Sequence, residues 1–249
     1  MFGFDNRIIW IILIVMMIFG LGSLLSSPGA LLNLVLTIPG FLIAIAFHEF
    51  AHAYIADKLG DDTPRRQGRL TLNPITHLDP VGSFLLLFAG FGWGKPVQIN
   101  PRNFDRKMSM SKGEALVSLA GPVMNFILAF VFLIVMYIVR ATHILDSLDS
   151  NISYIIWTIL SLIIGVNVSL GVFNLIPLPP LDGSKILMHF LPYNAKRVFI
   201  EKSQWFYIGF VILFVTGLSA VIIRPIINET LYGMNWIIGS IFNWLGLLG

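Results

Sequence analysis

Six long apolar runs constrain the fold of this chain more than any other feature. A helix needs roughly 20 apolar residues to cross about 30 Å of hydrocarbon. Runs near this length are Ile8 to Leu25, Leu31 to Ala56, Ala115 to Val139, Ile152 to Ile176, Trp205 to Ile223 and Leu231 to Leu248. Charged residues make up only 12% of the 249 residues, about half the share of a soluble domain. We therefore predict an all-α membrane protein with about six transmembrane helices.

A seventh apolar run follows the second predicted helix and is too short to cross. This run, SFLLLFAGFGWG from Ser83 to Gly94, is interrupted by three glycines. Non-helical backbone at membrane depth must be covered by protein, because lipid offers it no hydrogen bonds. The sequence thus predicts a re-entrant hairpin or a short sheet at this point.

The basic residues predict the orientation of the helices. With the N-terminus in the cytoplasm, all of the 16 Lys and Arg residues except Arg140 and Arg224 fall on the cytoplasmic side, as the positive-inside rule requires. We predict that both termini are cytoplasmic and that the chain crosses the cell membrane several times, with a prokaryotic inner membrane as the expected location. The first run leads straight into the second, so we interpret it as a retained helix rather than a signal peptide.

Polar side chains interrupt the second apolar run in the stretch FHEFAH, Phe47 to His52. His48 and His52 are four residues apart, which places both rings on one helix face with Cβ atoms about 5–6 Å apart. Of the 13 acidic residues, only Glu49 lies within a predicted span. Ionisable groups are costly there and usually functional. This is the HExxH arrangement of zinc hydrolases. The alternative, that the histidines only join helices by hydrogen bonds, does not explain Glu49.

A third ligand is needed, because catalytic zinc usually takes three protein ligands and an open position. The chain has no cysteine, so the ligand must supply nitrogen or oxygen. Asp182 is the best candidate, because prolines in NLIPLPPLDG prevent a regular helix and let the carboxylate turn inward. Asp-Gly is also a common turn pair, and spacing alone leaves both interpretations open.

Several motifs together resemble the site-2 protease family of intramembrane zinc metalloproteases, in a minimal form without PDZ or CBS domains. They are HEFAH at His48 to His52, HLDPVGS at His77 to Ser83, GWGKPVQINPRNF at Gly92 to Phe104, GPVMN at Gly121 to Asn125 and NLIPLPPLDG at Asn174 to Gly183. The resemblance favours Asp182 as a ligand. It implies one Zn²⁺ per chain, held by His48, His52 and Asp182, with Glu49 as the catalytic acid–base.

Two asparagines and one extended segment are further candidates. The resemblance implies that Asn125 and Asn174 bind substrate or stabilise the oxyanion, although each amide could instead join helices. An unwound substrate also needs backbone partners, which an added strand would provide. The candidate strand is Gly92, Trp93, Gly94, Lys95, Pro96 and Val97; the alternative is a loop that only shields the metal cavity from lipid.

The expected function is that of a zinc metalloendopeptidase cutting transmembrane proteins near the cytoplasmic face, as in regulated intramembrane proteolysis. Its partners would be the membrane protein substrate, the lipid bilayer and a regulatory membrane protein, with no nucleic acid and an undetermined oligomeric state. We expect one membrane domain over residues 1–249, with a catalytic core at about 31–191 and accessory helices at about 8–25, 205–223 and 231–248. The alternatives are a non-catalytic membrane binding protein or a proton or metal transporter.

Overall fold

Helices dominate the structure of this chain. The computed structural model describes residues 22, 28–83 and 94–247. Within these ranges, apart from helical residues 80–83 and a 3₁₀ turn at Pro74–His77, the helices of four or more residues are α1 Pro28–Lys58, α2 Thr63–Arg66, α3 Met110–Ala141, α4 Ser150–Asn174, α5 Asp182–Phe190, α6 Tyr193–Glu201, α7 Ser203–Val215 and α8 Leu218–Trp244. The described residues form no β-strand, and one antiparallel bridge joins Leu78 to Gly94.

Three of the described helices are long and apolar enough to cross a membrane. They are α1, α3 and α4, and they confirm the second, third and fourth predicted runs. At 1.5 Å per residue, the 31 residues of α1 extend about 46 Å, so its ends reach beyond the hydrocarbon layer. All of the first predicted run except Gly22, and most of the re-entrant run, lie outside the described residues.

The three long helices pack against one another at small residues. A side chain at Gly40 of α1 would meet the backbone of Ile163 in α4 at 3.0 Å, and one at Gly171 of α4 would meet the ring of Phe126 at 3.0 Å. Such close approaches are typical of helix packing in membranes. An apolar core then joins α3 and α4 to α8, with buried members Ala129, Leu133, Ile164, Val168, Val172, Ile223, Met234, Ile238 and Phe242.

The C-terminal helices differ from the predicted spans. The expected polar break near Arg224 and Glu229 lies inside α8, where both side chains are exposed. The chain instead breaks at Gly217, which has a φ of 74°, a left-handed conformation that glycine adopts readily. Because α7 has only 13 residues, it extends about 20 Å and is shorter than the predicted fifth span. Apolarity alone did not reveal this break, because the apolar run from Trp205 to Ile223 continues past Gly217. Pro225 lies within α8 and does not end it.

The chain between α1 and α3 folds back along the C-terminal part of α1, which is predicted to lie on the cytoplasmic side. The backbone N–H of Lys95 donates to the carbonyl of His77 at 2.7 Å, and the N–H of Asp105 donates to the carbonyl of Leu59 at 2.8 Å. A side chain at Gly94 would also lie 2.5 Å from the Cδ1 of Ile45 in α1. Residues 94–105 therefore contact α1 at their start and the residue that follows α1 at their end.

Candidate metal centre

The two histidines of the HExxH sequence meet near the C-terminal end of α1. Both rings are buried, with 5% of His48 and 8% of His52 exposed. Their Nε2 atoms lie 3.0 Å apart, and the rings are nearly perpendicular. The four-residue spacing thus brings two nitrogens to one point, as predicted.

Asp182 brings the third ligand atom from a distant segment. It is the first residue of α5, and its Oδ2 lies 3.2 Å from the Nε2 of His48 and 3.2 Å from that of His52. A tetrahedral ion with bonds of about 2.0–2.1 Å holds its ligand atoms about 3.3 Å apart. The observed triangle matches that spacing, so the three residues form a candidate metal site.

The hydrogen-bond partners of the two Nδ1 atoms show which ring nitrogens carry protons. The Nδ1 of His48 lies 2.6 Å from the Oδ1 of Asn125, and the Nδ1 of His52 lies 2.7 Å from the carbonyl oxygen of Val117. The carbonyl oxygen only accepts, and the Asn125 oxygen is identified by donations that its NH₂ makes elsewhere, so each Nδ1 donates. In the neutral tautomers both Nε2 lone pairs then face the carboxylate oxygen with no proton among them.

Three facing acceptors repel one another unless a cation lies between them. A divalent metal ion satisfies all three, and a second ring nitrogen bound to a carbonyl or amide oxygen is the usual support of a metal-ligating histidine. Two imidazoles and a carboxylate without thiolates suit zinc. The residues present therefore fit a zinc ion.

Asn125 links His48 to a buried polar relay, which is a chain of hydrogen bonds between side-chain amides and backbone carbonyls. Its side chain is fully buried, and its Nδ2 donates to the carbonyl of Ala44 at 3.1 Å and to the Oδ1 of Asn167 at 3.0 Å. The Nδ2 of Asn167 donates to the carbonyl of Ile163 at 2.8 Å. The relay therefore ties α1, α3 and α4 together behind His48. Sequence reasoning did not single out Asn167, although a polar side chain within an apolar span is such a signal.

Gly121 lies directly against the imidazoles. A Cβ at this position would lie 2.5 Å from the Nε2 of His52 and 2.6 Å from the Cε1 of His48. The backbone of α3 thus closes one side of the site because it has no side chain there. The sequence contained this glycine within GPVMN, but nothing in its spacing indicated that two rings from α1 would contact it.

Glu49 is buried beside the ligand pair, with 8% of its surface exposed. Its Oε2 accepts a hydrogen bond from the backbone N–H of Val97 at 2.9 Å. The carboxylate is not one of the three atoms of the candidate metal site. Glu49 therefore lies outside the set of three ligand atoms, and a backbone N–H holds one of its oxygens.

The other candidates lie in different settings. The Nδ2 of Asn174 donates within its own helix, to the carbonyl of Leu170 at 3.0 Å. Lys95 and Val97 donate their backbone N–H groups to His77 and to Glu49 of α1, whereas Gly92 and Trp93 lie outside the described residues. His77 is fully buried, and its Nε2 lies 2.8 Å from the carbonyl oxygen of Thr71.

Comparisons with known proteins agree with this geometry. The model of peptidase family M50 matches residues 143–216, a range that includes Asp182. "Putative zinc metalloprotease YwhC" of Bacillus subtilis is 42% identical over 191 residues, which cover 75% of this chain and 83% of that relative. "Putative zinc metalloprotease Rip2" of Mycobacterium tuberculosis is 28% identical over 204 residues, covering 80% of this chain and 71% of that relative. No solved structure matches the chain.

Helices long and apolar enough to cross a membrane surround two buried histidines and a partly buried aspartate that could hold a metal ion, as in a membrane metalloprotein. The chain belongs to peptidase family M50, the site-2 proteases, and is a zinc metalloendopeptidase.

Proposed function

We propose that this protein hydrolyses peptide bonds within or near transmembrane segments of membrane protein substrates, close to the cytoplasmic face. The observation that supports this most strongly is the triangle of acceptor atoms from His48, His52 and Asp182, with sides of 3.0 to 3.2 Å. It is buried at the end of an apolar helix, with the Glu49 carboxylate beside it. Release of a regulatory fragment, as in regulated intramembrane proteolysis, would follow from a cut at this depth.

Each residue of the site has a proposed role. His48, His52 and Asp182 would hold one Zn²⁺ per chain, which when bound lowers the pKa of water and polarises a carbonyl. Glu49 takes a proton from the attacking water and delivers one to the leaving amine. The formal charges of two neutral imidazoles, two carboxylates and a dication sum to about zero, which a buried site tolerates best.

The asparagines divide into two roles in this proposal. Asn125 orients His48 through the 2.6 Å contact with Nδ1, in place of or in addition to a contact with substrate. Asn174 is the last residue of α4, and its Oδ1 has no hydrogen-bond partner among the described residues. Asn174 could therefore accept a hydrogen bond from a substrate N–H.

Asn125→Leu is expected to weaken zinc affinity by about 10- to 100-fold, the usual cost of removing a partner of a ligand histidine. The substitution removes the acceptor of His48 Nδ1 and leaves Asn167 without its donor. Competition with a fluorescent zinc chelator measures the affinity. Asn151→Leu, at an exposed position at the start of α4, is the control. Wild-type zinc affinity in Asn125→Leu would contradict the orienting role.

The extended segment is proposed to receive an unwound substrate. Its Lys95 and Val97 N–H groups are engaged by the protein, and Pro96 has none. The outward edge therefore offers mainly carbonyls, with the N–H of Gln98 as the donor nearest to these residues. A substrate strand pairing there would present N–H groups to Pro96 and Gln98.

The membrane topology is proposed from the sequence together with α1, α3 and α4. The run at about 8–25 would add a span, and α7 and α8 would supply the accessory C-terminal helices of a single membrane domain over 1–249, with its core at about 31–191. The bridge from Leu78 to Gly94 supports a hairpin between these residues. Both termini would be cytoplasmic in a prokaryotic inner membrane, with a regulatory membrane protein as a further partner.

A proteoliposome experiment tests the proposed function against its alternatives. Purified protein is reconstituted with a labelled spanning peptide, treated with a zinc chelator, and then given zinc. We expect cleavage to stop on chelation and to return with zinc, without metal accumulating in the vesicle lumen. Metal accumulation without cleavage would indicate a transporter, and zinc binding with neither would indicate a binding protein; either result contradicts proteolysis.

A further inference from the structure

Residues 94–105 are here named the strap. Its first residues, Gly94 and Lys95, are hydrogen-bonded to the rest of the protein before the chain reaches Val97, which contacts Glu49. Gly94 pairs with Leu78, and the N–H of Lys95 donates to the carbonyl of His77. A side chain at Gly94 would lie 2.5 Å from the Cδ1 of Ile45 in α1. The strap therefore enters the site with its backbone directly on α1.

The far end of the strap is fastened by packing and by one backbone hydrogen bond. Phe104 is buried between Ala56 and Val117, and its ring occupies the space over Gly113 where a side chain would otherwise lie. The N–H of Asp105 donates to Leu59 at 2.8 Å. This end joins the end of α1 to the start of α3.

A buried carboxylate holds the strap between these two ends. Asp61 is fully buried, yet no described cation pairs with it. Its Oδ1 accepts from the N–H and hydroxyl of Thr63 and from the Nδ2 of Asn103 at 2.9 Å, and its Oδ2 accepts from the N–H of Asn100 at 2.6 Å. Burial raises the pKa of Asp61, but these hydrogen bonds lower it further, so the net pKa lies below its ordinary value.

Asn100, which donates to Asp61, is close in sequence to Val97, which donates to Glu49. Asn100 is three residues after Val97, whose N–H donates to the Oε2 of Glu49 at 2.9 Å. Three extended residues span at most about 10 Å, so the position of Asn100 limits where the Val97 N–H can lie. The contact occupies one carboxylate oxygen and leaves the other to accept a proton.

We infer that Asp61 is a positioning residue for catalysis, because it holds the strap at the place where the Val97 N–H fixes the Glu49 carboxylate. The inference rests on the proposed function, in which Glu49 is the general base. A misplacement of about 1 Å in such a group can cost about 10²-fold in rate. Asp61 reaches no reacting atom and acts through the strap.

Asp61→Asn is the first test, because the amide keeps the size of the carboxylate but presents hydrogens to groups that already donate. We expect the turnover number on a spanning peptide to fall about 10- to 100-fold, with KM changed by less than about twofold and zinc content unchanged. The Val97 amide should exchange its hydrogen at least about 10-fold faster, because it is no longer held on Glu49.

Asp62→Asn is the matched control for this variant. Asp62 is the neighbouring residue of the same type, but its side chain is exposed and pairs with Arg66 on the surface. Its turnover number, KM and Val97 exchange are expected to equal those of the wild type. A change of the same size in both variants would overturn the assignment to Asp61.

A charge swap gives a second test that does not depend on Asp61→Asn folding well. Asn103 is exposed, so Asn103→Asp should fold while placing a second carboxylate against Asp61 and releasing the strap. The double variant Asp61→Asn with Asn103→Asp restores an N–H to carboxylate pair, and we expect it to recover at least part of the lost turnover number and of the Val97 protection.

The outcomes separate this inference from the proposed function. If the wild type cleaves the peptide and Asp61→Asn or Asn103→Asp keeps its turnover number, the positioning role is overturned while proteolysis stands. Unchanged Val97 exchange, or a change confined to KM, also overturns it. A wild type that binds zinc but cleaves nothing contradicts the proposed function itself, whereas the exchange measurement still reports whether Asp61 holds the strap.

Discussion

Replacing Glu49 with glutamine is expected to reduce peptide cleavage by about 10²- to 10⁴-fold, the usual contribution of a positioned general acid–base. The amide cannot take a proton from water at neutral pH. The rest of the site should persist, since glutamine keeps an oxygen that accepts from the Val97 N–H, now 2.9 Å from the Glu49 Oε2. His48, His52 and Asp182 are untouched, so zinc should remain bound. Single-turnover cleavage in proteoliposomes and metal analysis of the same sample measure both quantities.

Glu201→Gln is the control for this variant, because Glu201 is an exposed carboxylate paired with Arg197 on α6. It should cleave like the wild type. If Glu49→Gln retained wild-type cleavage, Glu49 would not be the general base. If it lost zinc together with activity, the carboxylate would instead be part of the metal site, contrary to the arrangement of the three ligand atoms.

Gly121→Ala is expected to remove most of the zinc and most of the activity, although the substitution adds only one methyl group. That methyl would lie 2.5 Å from His52 Nε2 and 2.6 Å from His48 Cε1, and heavy atoms in contact lie about 3.5–4.0 Å apart. The rings cannot retreat easily, because their Nδ1 atoms are held by Asn125 and Val117. We expect zinc affinity to fall at least about 10- to 100-fold, as when ligand orientation is lost.

Gly165→Ala provides the matched control, since Gly165 also lies inside a membrane helix but a side chain there meets nothing within 4 Å. Alanine is the better helix former by about 1 kcal/mol, so this variant should bind zinc normally. Zinc titration with thermal unfolding monitored in detergent distinguishes a lost site from a lost fold. Normal zinc affinity in Gly121→Ala would show that the helices separate to accept the methyl group.

Periodicity and length predicted the parts of the fold that depend on local sequence. Helices α1, α3 and α4 follow from apolar runs that exceed the thickness of the bilayer. The meeting of His48 and His52 follows from the geometry of one helix. The boundary predicted between Ile223 and Leu231 is wrong: the helices break at Gly217 and α8 continues past Arg224, because packing of α8 against α3 and α4 outweighs two exposed charges.

The partners of the site could not be predicted in the same way. Nothing in the local sequence indicates that Asn125 faces His48, that Val117 lends its carbonyl to His52, or that Gly121 leaves room for both rings. In the sequence, Asp61 also looks like an ordinary loop aspartate, although its buried carboxylate accepts hydrogen bonds from Asn100 and Asn103. These relations join residues about 40 to 80 positions apart, and only packing determines them.

By itself, the sequence determined that this chain forms helices apolar enough to cross a membrane and that two histidines on one helix face lie next to a carboxylate, since helix length and the four-residue repeat are properties of a single segment. The tertiary structure decided that the Asp182 carboxylate completes the triangle, that both Nδ1 atoms donate, and that the strap fixes Glu49. The physical reason is that burying these groups is favourable only when distant partners satisfy them, and a linear sequence does not specify which partners meet.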